Sequence, residues 1–278
     1  MRLRQDMVGY DAMPTDLVWA ARMGEAGMDG DPRNWLRALG TGPAFWLAMF
    51  AASAFGTNLG DLWTGRLGLP GLAGFGSLVV VSALAIWGDR RIGLQTEFAY
   101  WVAIVVLRAA ATNAADFLTE ALHLGFAPVA LGLAAVALAV GSRTRAGLVG
   151  RRGASPVIGG RYWTAMFVAG VFGTVAGDLM NRTVGVLASA AALTALLTLV
   201  LLLRARWFPG FMLSYWVAVL AERAAGTPVG DGLASRHGVG LGLPIATGCT
   251  AALFATALFW RERGRRLAMT AAGFEAAR

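Results

Sequence analysis

Asp61, Asp116, Asp178 and Asp231 each fall fifteen residues after a tryptophan and four after a threonine. The tryptophans belong to the aromatic pairs Phe45-Trp46, Tyr100-Trp101, Tyr162-Trp163 and Tyr215-Trp216; the threonines are Thr57, Thr112, Thr174 and Thr227. At 100° per residue a helix places Trp, Thr and Asp along one stripe, with the carboxylate about 22 Å beyond the indole. Asn58 and Asn113 add amides beside two of the threonines. Carboxylate, hydroxyl and amide oxygens at one level suit a hard cation or protons. Arg108 and Arg223 share the stripe, seven residues after their tryptophans, which sets them about 12 Å inward of the aspartates. Glu222 adds a carboxylate in the fourth copy alone.

Each feature also has a plainer explanation. The aspartates could cap helix ends or bond backbone across close helix contacts, serving assembly alone. The two arginines could bind an anionic group, but an intramembrane arginine is more often satisfied by a nearby Asp, and that is the expectation here. His123 and His237 follow the second and fourth aspartates by seven and six residues. With Asp116, Glu120 and Asp231 they are candidates for metal capture at a mouth, although loop histidines are commonly just solvated. Met49 and Met166 hold equivalent positions and read as packing.

These residues need helices to position them, and the composition says which solvent the helices meet. Of 278 residues 57% are hydrophobic and 14% charged, against about a quarter charged in soluble domains. Mean hydropathy is +0.60. Apolar segments at 43–62, 69–87, 98–118, 124–141, 162–180, 185–203, 211–231 and 239–260 approach the ~20 residues that cross a bilayer. The fold class expected is therefore an all-α membrane protein with eight transmembrane helices. Short connections make successive helices antiparallel neighbours, giving four helix hairpins. The four odd helices carry the polar stripes inward, and the uncharged even helices face lipid. Each Trp is expected at the cytoplasmic interface, where its amphipathic ring is favoured.

The hairpins repeat in two nested ways. Small residues precede each Thr (Gly56, Ala111, Gly173, Gly226) and each Asp (Gly60, Ala115, Gly177, Gly230), a G-x-x-x-G step suited to close helix packing. The first copy matches the third in its AMF and FGT-x-x-GDL runs; the second matches the fourth in YWVA and in Arg-Ala-Ala. Two four-helix halves with the same topology are parallel repeats. The organisation is a cytoplasmic tail (1–42), a first half (43–141), a linker (142–160), a second half (161–260) and an arginine-rich tail (261–278). The second copy reads ATNAAD where the others read GT-x-x-GD.

All 24 basic residues are arginine. The absence of lysine excludes Schiff-base and P-loop chemistry. A single cysteine, Cys249, excludes an internal disulfide and multi-Cys metal sites. No H-E-x-x-H or G-x-S-x-G string is present, so neither an enzyme nor a cofactor is expected. The net charge of +8 reflects arginines between apolar runs and reads as orientation, not as a nucleic-acid footprint. It places the loops after even helices and both termini in the cytoplasm. The expected partners are membrane lipid and a cation.

The four aromatic-Trp…GT-x-x-GD units resemble a family of bacterial repeat-containing integral membrane proteins often called membrane-anchored. The resemblance covers residues 43–260. It implies an inner-membrane location and transfers no catalytic residues.

Overall fold

The computed structural model describes residues 41–67, 73–74, 76–81, 83–84, 97–150 and 153–276. The N-terminal tail before Thr41 lies outside them, and the apolar segment 69–87 is described only in part. The described residues are almost entirely helical: α1 (Pro43–Leu67), α2 (Glu97–Asp116), α3 (Phe126–Ser142), α4 (Gly160–Val184), α5 (Val186–Trp207), α6 (Met212–Ala234) and α7 (Leu243–Ala276). A π-turn, Phe117–Ala121, extends α2. The linker contributes the one departure, a short antiparallel hairpin of β1 (Ala146–Gly150) and β2 (Gly153–Pro156). α7 continues as helix to Ala276 through the stretch expected to be a tail; its exposed Arg266–Glu262 pair, one turn apart, supports the extension modestly.

The helices bearing the repeated motif form a closed inner ring: α1 packs on α2, α2 on α4, α4 on α6, and α6 returns to α1. The others lie outside, α3 chiefly against α4, α5 against α6 and α7 against α1. Leu78, from the partly described segment, packs with Ala109 and Ala110 of α2. Outer helices thus pack mainly on the inner helix of the following copy rather than on their own. Successive helices still touch where α5 meets α4 and α7 meets α6, but the larger contacts run to the next copy. An outer helix fits the groove between neighbouring inner helices, so that α5 and α7 meet both their own copy and the next.

Among the described residues, four stretches are long and apolar enough to cross a membrane: Glu97–Ala121, Gly160–Val184, Val186–Trp207 and Leu243–Gly264. α6 is long enough but carries Glu222, Arg223 and Asp231, and α3 is apolar but has 17 residues. Within the qualifying stretches, 78% of the α2 window is buried in the protein against 22% for the α5 and α7 windows. The outer helices present Leu131, Leu187, Leu199, Leu202 and Phe259 outward. An apolar exterior of this extent associates with membrane rather than water.

The rings of the repeated tryptophans face the protein interior rather than outward. Trp46, Trp101 and Trp216 are buried in the largest core cluster, with Trp163 packed against it. Neighbouring aromatic pairs interlock around the ring, as in Phe45–Trp101 and Tyr162–Trp216 with centroids 5.8 Å apart. Indole N–H groups donate inside the protein: Trp46 to the Thr41 carbonyl, Trp101 to Glu97 and Trp216 to Thr144. Four adjacent aromatic pairs bury their rings against one another, in the tilted and edge-on contacts that aromatic side chains favour.

Candidate functional site: a carboxylate-rimmed cavity on the ring axis

Close approach of the inner helices follows from a reciprocal rule. The small residue before the Thr of one copy receives the residue seven after the Trp of the next. A Cβ on Gly56 would lie 2.5 Å from the Cβ of Arg108, one on Gly173 2.5 Å from that of Arg223, and one on Gly226 2.3 Å from that of Ser53. At the fourth contact the roles are exchanged. The second copy has Ala111, and the residue facing it is Gly170, where an added Cβ would meet that of Ala111 at 2.7 Å. The departure from the motif in copy two is therefore matched across the interface.

This packing turns the polar stripes onto the axis. All four threonines and all four aspartates line one cavity of about 300 Å³, together with Glu120, Asn181 and Arg182. Thr57, Thr112, Thr174 and Thr227 are buried at 1–2% exposure, and the aspartates are half-buried. Asp231 accepts a hydrogen bond from Asn181 Nδ2 at 2.8 Å. Among the described residues, Asp61, Asp116 and Asp178 have neither a side-chain hydrogen bond nor an ion pair. Glu120 and Arg182 face each other at 3.7 Å at the exposed rim.

The cavity ends at Arg223. Its Nη1 reaches Ser53 Oγ at 2.7 Å, the Ser53 carbonyl at 3.3 Å and Thr57 Oγ1 at 3.4 Å; its Nη2 reaches Thr174 Oγ1 at 3.0 Å and Thr112 Oγ1 at 3.4 Å. One guanidinium rooted on α6 therefore spans the axis to α1, α2 and α4. Beneath it Arg108 and Glu222 form a bidentate pair at 2.7 and 2.9 Å, exposed by 3% and 0%. Arg108 Nη2 also lies 3.7 Å from Met49 Sδ, so Met49 does more than fill space. Lower still, the hydroxyls of Tyr100 and Tyr162 meet at 2.6 Å and those of Tyr162 and Tyr215 at 3.5 Å.

The expectation that Asp satisfies the arginines is not what the structure has. Arg108 uses Glu222 and Arg223 uses hydroxyls. The aspartates stand two helical turns away along the axis, beyond guanidinium reach. The asparagines are not cavity groups either. Asn113 donates to the carbonyls of Gly60 and Ala109, and Asn58 is buried beside Gly230. Both histidines are exposed and neither lines the cavity. Among the described residues no three His, Cys, Asp or Glu side chains form a group able to hold a metal ion.

Sequence reasoning passed over three contributors. Ser53 was legible in the repeat, because it stands seven residues after Trp46 as Arg108 and Arg223 stand after their tryptophans. The tyrosine triad was available as the residue before each Trp, with Phe45 its nonpolar fourth member. Asn181, three residues beyond the motif and present in one copy, had no signal.

Comparison with known proteins bears on the fourth copy. Residues 214–266, which hold Tyr215-Trp216, Thr227 and Asp231, match a family described as Repeat of Unknown Function (DUF347). Neither a curated protein nor a solved structure matches the chain. The chain is thus similar, over its last inner and outer helices, to a repeat family without an assigned activity, and it is a repeat-containing protein.

Proposed function

We propose that the protein is a small membrane transporter or channel for a cation, with Asp61, Asp116, Asp178 and Asp231 as an intramembrane acceptor ring. In this reading the chain crosses the membrane eight times as four helix hairpins in two parallel halves. It resides in a bacterial inner membrane with both termini cytoplasmic. The arginine distribution supports that orientation and makes the aspartate end of the cavity the non-cytoplasmic one.

The observation that carries the reading is the set of three carboxylates that line the cavity and bond to nothing among the described residues. A carboxylate placed for assembly caps a helix or meets a donor; only Asp231 has such a donor, Asn181. Unpartnered acidic groups inside a membrane protein are costly, less so toward the interface than at the bilayer centre, so a compensating cation or proton is the natural occupant. The carboxylates line a cavity of about 300 Å³, wide enough to hold water beside an ion. A metal ion held there keeps its water; a proton needs none.

The second reading, a non-transporting scaffold or partner-binding subunit, is favoured by the glycine contacts at Gly56, Gly173 and Gly226. Those contacts explain the small residues and leave the aspartates without a role, which ranks this reading second. Substitution of the four aspartates by Asn separates the two. Transport requires loss of cation flux in proteoliposomes with little change in melting, whereas a scaffold shows a lower melting point and no flux in the parent.

A further inference from the structure

The side chain of Arg223 is held by oxygen acceptors from the other inner helices. Its guanidinium is 1% exposed and lies across a ring of oxygen acceptors, Ser53 Oγ and carbonyl, Thr57, Thr112 and Thr174, drawn from three helices other than its own. The stem is fixed by close contact, since Cβ and backbone atoms of Arg223 lie within 2.5–2.9 Å of where a Gly173 Cβ would be. No carboxylate lies within ion-pairing distance of it among the described residues, although Glu222 beside it pairs with Arg108. Three of these hydroxyl groups also line the cavity, so the ring is the cavity floor. The acceptors of such a ring do not depend on the cation being tethered.

We propose that this hydroxyl ring is an internal cation seat in which Arg223 is a resident, tethered cation. The ligand class is a planar cation bearing several N–H donors. While Arg223 is seated, a cation entering between the aspartates stops at the hydroxyl level, and the arginine thereby sets how deep a free cation reaches. The inference uses the transport reading only for the route of entry.

Chemical rescue tests it on the full chain in detergent. Arg223→Ala removes the resident and leaves the ring, and is expected to lower the melting temperature by at least about 5 °C. Millimolar guanidinium chloride should then recover roughly half the loss or more, as a ligand that binds only the folded state does. Sodium chloride and urea should not, and the parent protein should not respond. Ser53→Ala added to Arg223→Ala should abolish the recovery. A folded Arg223→Ala protein that guanidinium leaves unmoved, or that urea or sodium restores equally, overturns the proposal. If Arg223→Ala does not fold, Arg223→Met, which keeps an apolar stem, is read in the same way. With the four aspartates also changed to Asn, a higher guanidinium concentration should be needed. An unchanged concentration would keep the seat and remove the aspartate vestibule as its entrance, so the two ideas fail separately.

Discussion

At the scale of the residue, the Arg108–Glu222 pair fixes how the axis is closed. Two charges that are almost fully buried have lost most of their hydration, and their bidentate contact offsets that loss only while both are present. Glu222→Gln should destabilise the protein by about 3–5 kcal/mol in chemical unfolding, because it strands the Arg108 charge. The double change Arg108→Met with Glu222→Leu should recover most of that loss. A double change as damaging as Glu222→Gln would mean that the charges have a structural role beyond pairing. The arginines themselves were legible in the sequence, since the helical angle and rise placed them on the aspartate stripe and two turns inward. Their partners were not. Periodicity fixes face and height within one helix but not the distance to the next, so the Glu222 contact and the hydroxyl ring appear only once four helices are assembled.

At the scale of the element, the ring depends on how closely neighbouring helices approach. Gly173→Ala should cost about 1–3 kcal/mol by overpacking, because the new methyl would meet backbone of Arg223 at 2.6 Å. Gly132→Ala is the contrast, on α3 with nothing within 4 Å, and should be neutral or stabilising by about 0.5–1 kcal/mol. Gly170→Ala collides with the Ala111 Cβ at 2.7 Å. Adding Ala111→Gly should relieve it, with a coupling of about 0.5–3 kcal/mol in a double-mutant cycle. Strictly additive effects would contradict the reciprocal rule. The four copies and their small-residue steps were visible in the sequence because the same spacing recurs from each Trp. The pairing of outer helices with the following copy was not visible, since an uncharged apolar run reads the same beside any neighbour. The packing of the tryptophans against one another was hidden for a related reason: an amphipathic ring suits an interface and an aromatic core equally, and the contacts depend on the neighbouring copies.

At the scale of the whole molecule, four inner helices enclose an axis that is polar from the aspartate rim to the tyrosine hydroxyls, inside an exterior of exposed Leu and Phe. The arrangement segregates two tasks within one repeated motif. Small residues and the groups they receive close the ring, and three of the four carboxylates stand without donors among the described residues at its open end. Asp61, Asp116 and Asp178, without donors, and Asp231, bound to Asn181, should therefore respond differently to substitution. The most direct measurement compares the parent protein with the variant in which Asp61, Asp116 and Asp178 are replaced by Asn, following cation uptake into proteoliposomes and melting of the same preparations. Uptake in the parent, its loss in the variant and a melting temperature lowered by no more than about 2–4 °C are the expected results. A parent that moves neither protons nor metal cations, paired with a variant that melts far lower, would contradict the account and leave the carboxylates with an assembly role.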